Sequence, residues 1–180
     1  FSIGQGYFLT TPLQLASATA MLANRGEWVS PRFLKTMKTS SGDALPTPIK
    51  REVDIEEFTP SKDGNVEFVI NAMKDVMHSI KGTARSSGRN ASYRMAGKTG
   101  TAQVVGIKQG EKYDSEALQE RHRDHALFVG FAPADNPQIA VAVIVENGGG
   151  GGSTAAPIAR SLFDEWILKK DVAPVLEVGE

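Results

Sequence analysis

Residues 96–103 read Ala96-Gly97-Lys98-Thr99-Gly100-Thr101-Ala102-Gln103, a lysine set between two glycines with hydroxyl residues beside it. Three things have this look: a phosphate cradle, one edge of an acyl-transfer site, and a tight turn. A phosphate loop of the form G-x-x-x-x-G-K-[ST] needs its first glycine so that backbone N–H groups can curl around the anion. That glycine would fall at position 92, which is Ser92. Such a loop also runs straight into a helix, whereas Thr101-Ala102-Gln103-Val104-Val105 has the composition of a strand. We therefore read a strand over Arg94 to Val105. On a strand, Lys98 and Gly100 share one face. Gly100 leaves the backbone bare for a ligand or another chain segment to approach, and Thr101 adds a hydroxyl and a backbone N–H. A cation, two hydroxyls and an N–H suit a substrate with a carboxylate and a polarisable carbonyl. Composition alone leaves a structural strand with an exposed lysine as the alternative.

Working outward, two more strands follow. Ala126 to Ala132 is short and apolar, and Ile139 to Val145 is a near-continuous β-branched run, expected to be buried on both faces. The turn cluster Pro133-Ala134-Asp135-Asn136-Pro137 between them predicts a hairpin. A hydrophilic insertion, Gly106 to Asp124, separates the first two strands; loops of that length are usually functional or mobile. Upstream, Thr11-Pro12-Leu13-Gln14 combines a cap, a proline at the first helical position and a capping box. Leu13, Ala16, Ala20 and Ala23 then recur at helical spacing, up to Gly26. Arg32 to Lys38 suggests a short edge strand and Ser40 to Pro48 a polar turn region. A second helix is predicted from Asn65 to about Ile80, with Val66, Val69, Ile70, Met73, Val76 and Met77 on one face and a break at Gly82. Gly82 to Asn90 reads as an exposed loop. Gly148 to Gly152 carries no basic residue, so a flexible turn is favoured over an anion loop. A last helix is expected to be capped by Ser153 or Thr154, with Pro157 in its first turn and an apolar face of Ile158, Leu162, Phe163, Trp166 and Ile167. The element order predicts an α+β domain, an antiparallel sheet packed by helices.

The chain of 180 residues has the length of one domain, with a formal net charge of −1. That balance provides no field to attract nucleic acid or an anionic membrane. There is no cysteine, which excludes disulfides and thiolate metal sites. No apolar run approaches the ~18 residues of a membrane span. The chain opens Phe1-Ser2-Ile3-Gly4 with no initiator methionine, and we expect it to be a piece of a longer polypeptide.

Other groups in the chain have the chemistry of a site. His122 and His125, with Asp124, Glu116 and Glu120 near them, make a metal site conceivable, but no third ligand is fixed by spacing and a polar loop entering a strand is preferred. No metal or cofactor is expected. His78 is placed at a helix C-terminus, favourable for a cation. Tyr113 and Arg121 to Arg123 are positioned to line a groove. Phe163 and Trp166 are expected in the core.

Lys98-Thr99-Gly100 on a strand, with Thr101-Ala102-Gln103 after it, resembles the third motif of penicillin-binding proteins and serine β-lactamases. Five segments sharpen the resemblance: "GQGYFLTTPLQLASATAMLANRG", Gly82-Thr83-Ala84, "MAGKTGTAQ", "DHALFVGFAPADNPQIAVAVIVENG" and "AAPIARSLFDEW". In that order they are similar to class B penicillin-binding proteins of the elongation type. The resemblance implies a serine D,D-transpeptidase that cross-links peptidoglycan stem peptides and is a target of β-lactams. It places Lys98 beside the nucleophile's hydrogen-bond network. It sets Thr99 and Thr101 against the carboxylate of a stem peptide or β-lactam, the Thr101 N–H in the oxyanion hole, and Gly100 as clearance for the substrate strand. It further implies a periplasmic location on the bacterial inner membrane, with a membrane glycosyltransferase and elongation-complex proteins as partners and no nucleic acid.

The family also requires S-x-x-K and S-x-N, and no serine here begins either. Ser41-Gly42-Asp43 and Ser61-Lys62-Asp63 are loose S-x-D echoes read as turns. Residues 1–180 are thus expected to be the C-terminal part of the transpeptidase domain, inactive alone and exposing an unpaired sheet edge until the missing N-terminal part joins it. A β-lactam sensor or β-lactamase, and a non-catalytic peptide-binding module, are the competing readings.

Overall fold

The structure is a computed structural model, and it describes residues 9–32, 37, 38, 41, 42, 44, 45, 64–106 and 118–169. Gly4 to Tyr7, Ser61 to Asp63, Tyr113, Glu116 and most of the insertion lie outside them.

Helix α1 spans Pro12–Ala23 and opens as its sequence dictates. The Gln14 N–H donates to Thr11 Oγ1 at 3.2 Å, and the Thr11 N–H donates to Gln14 Oε1 at 2.8 Å; because Pro12 has no N–H, two of the three orphan N–H groups at the helix start are satisfied. The buried face differs from the expected stripe. Leu13 is exposed, and Ser17, Thr19 and Ala23 face inward. Thr19 tolerates burial because its hydroxyl donates to the Leu15 carbonyl at 2.7 Å. The helix stops in a turn where Arg25 and Gly26 both take positive φ.

Met37–Lys38 (β1) pairs antiparallel with Ala44–Leu45 (β2), so the polar region after Ser40 contains a strand. Helix α2, Asn65–His78, begins at Gly64 in the left-handed region. Ile70, Met73 and Met77 are its buried residues, four or three apart, while Val69 lies outside that stripe and is exposed. Gly82 to Asn90 is not an exposed loop. Arg85–Gly88 forms a short helix, α3, and Ala84, Ser87 and Gly88 are buried. The small side chains read as solvent-loving are small because the segment packs tightly against α2 and α4.

The sheet has the order β3 (Ala96–Ala102), β4 (His125–Ala132), β5 (Ile139–Val145), all antiparallel. Register pairs Lys98 with Val129, Thr101 with Ala126, and Ala132 with Ile139; the last closes the predicted hairpin. β3 is shorter than its composition suggested. β5 is not buried on both faces: only Val141 is buried, and Ile144 is 39% exposed. It is an edge strand among the described residues, and the β-branched run reflects strand preference rather than double cover.

Glycines 148–150 turn the chain, and Gly151–Ala155 forms one π-helical turn before α4, Ala156–Leu168. Neither Ser153 nor Thr154 caps α4. Their hydroxyls donate backwards, Ser153 to the Gly150 carbonyl at 3.1 Å and Thr154 to the Gly148 carbonyl at 2.8 Å, and so they fix the turn instead. α4 buries Ala156, Ala159 and Phe163, spaced three and four apart. Ile158, Leu162 and Trp166 are 44%, 45% and 51% exposed, so Trp166 is not core while Phe163 is.

Two clusters hold the sheet. Phe128, Ala126, Ala132 and Val141 pack with Met77, Met95, Ala155, Ala159 and Phe163; Phe131 and Ala96 pack with Ala23, Ile70, Met73 and Ala134. Because Phe128 and Phe131 lie three apart on β4, they face opposite sides, and each anchors one face. Truncating Phe163 to alanine removes the centre of the first cluster, a change of about 3–5 kcal/mol. A polar staple reinforces that side. Arg160 donates to both Asp164 oxygens at 2.8 Å and to the Ser87 carbonyl at 2.8 Å, while the Tyr93 hydroxyl donates to Asp164 at 2.6 Å. Burial and the Asp164 carboxylate raise the Tyr93 pKa. Burial alone would raise the Asp164 pKa, but the bonds from Tyr93 and Arg160 overcome it and hold the carboxyl below its ordinary value.

Candidate active site

β3 is the other edge strand, with β4 as its one paired neighbour among the described residues. Alternation puts Ala96, Lys98 and Gly100 on the Phe131 side of the sheet and Gly97, Thr99 and Thr101 on the Phe128 side. The four candidate residues are thus gathered on one edge, two on each face. An edge strand carries main-chain groups that an extended peptide can pair with, so the placement suits a peptide-like ligand.

Lys98 is exposed, and its ammonium donates to the Thr99 carbonyl at 2.6 Å. Gly100 is crowded only lightly. A Cβ built there would lie 3.2 Å from Leu127 Cβ, a contact that a small shift of Leu127 would relieve. Thr101 is exposed. Thr99 is partly buried, and its hydroxyl lies 2.9 Å from the hydroxyl of Thr83.

Residue Thr83 belongs to the segment between α2 and α3, fixed by backbone bonds from the Gly82 N–H to Ser79 at 3.1 Å and from the Ala84 N–H to Val76 at 3.0 Å. The glycine run locks it from the other side. A Cβ on Gly152 would lie 2.2 Å from the Thr83 carbonyl oxygen, and one on Gly151 would lie 2.2 Å from the Leu127 carbonyl oxygen and 2.5 Å from that of Gly100. Backbone reaches within contact of backbone at both positions, which only glycine permits. The turn expected to be flexible is therefore a close-packed wedge behind the motif. Sequence reasoning noted Gly82-Thr83-Ala84 as a segment but assigned Thr83 no role. The signal available was the run Gly148 to Gly152, since glycine marks close backbone approach as well as mobility.

The remaining candidates separate from this edge. Glu120–His122 forms one 3-10 turn. Arg121 lines an open depression of about 520 Å³ together with Gln119, Glu120 and Asn147. His125 Nδ1 accepts the Asn147 N–H at 2.9 Å, so that nitrogen is occupied in the fold. Among the described residues no three His, Asp or Glu side chains converge as metal ligands do. The His78 ring is not a helix-end cation: Nε2 accepts the Met95 N–H at 3.0 Å. Burial first, and then the charge of Arg94, lower its pKa from 6.5. No helix among the described residues is long and apolar enough to cross a membrane.

The chain is similar to known proteins over most of its length. The family model "Penicillin binding protein transpeptidase domain" matches residues 1–164. The peptidoglycan D,D-transpeptidase MrdA of Acinetobacter baumannii is 48% identical over 174 residues, covering 97% of this chain and 25% of the relative. Among solved structures, Pseudomonas aeruginosa PBP2 in complex with WCK 5153 is 43% identical with a TM-score of 0.74, covering 93% of this chain and 33% of that one. The Helicobacter pylori complex of PBP2 with MreC is 26% identical with a TM-score of 0.69, covering 95% of this chain and 27% of that one. The chain spans about a quarter of the length of the curated relatives it matches.

Proposed function

The chain belongs to the penicillin-binding protein transpeptidase domain family, and from that premise we propose that it is the C-terminal part of a peptidoglycan D,D-transpeptidase acting in cell elongation. A serine in the part of the domain outside this chain attacks the D-Ala–D-Ala bond of one stem peptide. The amine of a neighbouring stem then resolves the acyl-enzyme, and β-lactams enter by the same first step. Lys98 polarises the nucleophile's surroundings. Thr99 and Thr101 receive the carboxylate of the stem peptide or β-lactam, the Thr101 N–H contributes to the oxyanion hole, and Gly100 gives the donor strand clearance. The protein works at the periplasmic face of the inner membrane, and a membrane glycosyltransferase and MreC-like elongation proteins are its partners. By itself the chain forms no acyl-enzyme.

The observation that carries this reading is the Lys98-Thr99-Gly100 triplet on the open edge of a sheet of this family. Intact-mass measurement of the full-length protein after incubation with a penicillin tests it. A single covalent adduct is expected on the full-length protein and none on residues 1–180 alone. Full-length protein that stays unmodified would overturn the reading.

A further inference from the structure

Resting on that reading, we infer that Thr83 is a positioning residue for Thr99, the donor that leaves the Thr99 hydroxyl proton free to meet an anionic ligand. The two hydroxyl oxygens lie 2.9 Å apart, and either can be the donor. Two arrangements are possible. If Thr99 donates to Thr83, its proton is taken and only lone pairs face a ligand, which repels a carboxylate. If Thr83 donates to Thr99, the Thr99 proton is left to point outward. An anionic ligand selects the second arrangement and completes a relay from Thr83 to Thr99 to carboxylate, in which each bond polarises the next. A bond to a charged acceptor is stronger than one between neutral groups, so the relay matters most for substrates that carry the carboxylate.

The fold holds Thr83 for this task from both sides. Its peptide is anchored to the end of α2 through Ala84 and Gly82. Its carbonyl is overlain by Gly152, where a Cβ would come within 2.2 Å, and the same glycine sits against Thr99 Cγ2, 3.6 Å from that Cβ position. A side chain at Gly152 would therefore crowd the Thr83 backbone and reach the methyl group of Thr99, the two residues of the hydroxyl pair. Thr83 itself is exposed, so its side chain is not required to fill the core. A hydroxyl held in place by its backbone and free of a packing duty has the properties of a positioning group.

The test uses the full-length protein with T83A and T83S, a penicillin, and the methyl ester of the same penicillin, which lacks the anionic acceptor. Acylation rate and half-saturating concentration are measured separately, with melting temperature as the control for folding. With T83A, acylation efficiency toward the free penicillin is expected to fall by about fivefold, the worth of the one neutral hydroxyl–hydroxyl bond it removes. Loss on the ester should be much smaller, with melting unchanged, and T83S should restore the wild-type preference because it keeps the hydroxyl. Equal losses on acid and ester, or no loss on either, would overturn the positioning role. Equal losses with a lowered melting temperature overturn it as well, since they assign Thr83 to structure. Failure of wild-type protein to acylate would instead remove the transpeptidase reading, and this inference with it.

Discussion

The two edges of the sheet are built on opposite principles. β5 is a β-branched run held by Val141, with Ile144 facing solvent, and its side chains stabilise the pleat wherever they point. β3 is made of Ala, Gly, Lys and Thr, residues that bury little apolar area, and it is shaped instead by backbone contact with the Gly151–Gly152 turn. One edge is held by hydrophobic side chains and is tolerant. The other is held by close fit and carries the candidate chemistry. A functional strand that must leave room for a ligand cannot fill that room with its own side chains, so it draws its rigidity from the segment behind it.

The comparison breaks first at Lys98 and Ile144. Replacing Lys98 by alanine in the full-length protein is expected to lower penicillin acylation by at least about a hundredfold, the scale of a preorganised electrostatic group. Replacing the part-exposed Ile144 by alanine should leave acylation within about twofold and cost about 1 kcal/mol or less of stability. Rapid-quench acylation and thermal melts of both variants decide the matter. Equal effects would mean that the two edges do not differ in function.

A sharper contrast lies within the glycine run. Gly149 has φ of +74° with open space around it, whereas Gly152 is hemmed in by the Thr83 carbonyl. Alanine at Gly149 costs about 1–2 kcal/mol through the left-handed backbone and should not alter acylation. Alanine at Gly152 costs about 1–3 kcal/mol by overpacking. It should also lower acylation about fivefold, because the Thr83–Thr99 pair is pushed apart. Acylation that follows stability equally in both variants would dismiss the wedge.

Much of this was legible in the sequence because the signals were local. The capping box at Thr11 and Gln14, the hairpin at Pro133 to Pro137 and the three strands each announce themselves within a few residues. The K-T-G strand gained its meaning from the order of five segments. Errors arose where the deciding contact was distant. Gly82 to Asn90 and Gly148 to Gly152 read as loose because glycine and serine are the residues of loops. They are also the residues of tight packing, and only the neighbour's position separates the two. Trp166 and Ile144 have the identity of core residues, yet a helix or edge strand with a face uncovered among the described residues presents the same residues to solvent. Thr83 went unassigned because its partner lies 16 positions away and no periodicity connects them.

The smallest expected effect concerns pH, and it too should distinguish the edges. His78 ties α2 to the residue before β3 by accepting the Met95 N–H, and a protonated ring cannot accept. Burial, followed by the charges of Arg94 and Arg160, lowers its pKa below 6.5. The sign follows from linkage. Well above pH 6.5 the ring is neutral in both folded and unfolded chains, and its contribution is complete. As pH falls through 6.5 the unfolded chain takes up a proton that the folded one refuses, so stability declines until the lowered folded pKa is passed. The loss is bounded by about 1.4 kcal/mol for each pH unit between the two values. Hydrogen exchange of the full-length protein at pH 7.5 and 5.5, corrected for the intrinsic rate, should show β3 amides losing protection at the lower pH while β5 amides change less. In His78→Gln, which has no titrating ring, that pH-dependent difference should vanish. Equal loosening of both strands in wild type, or an undiminished difference in the variant, would mean that His78 does not govern the β3 edge.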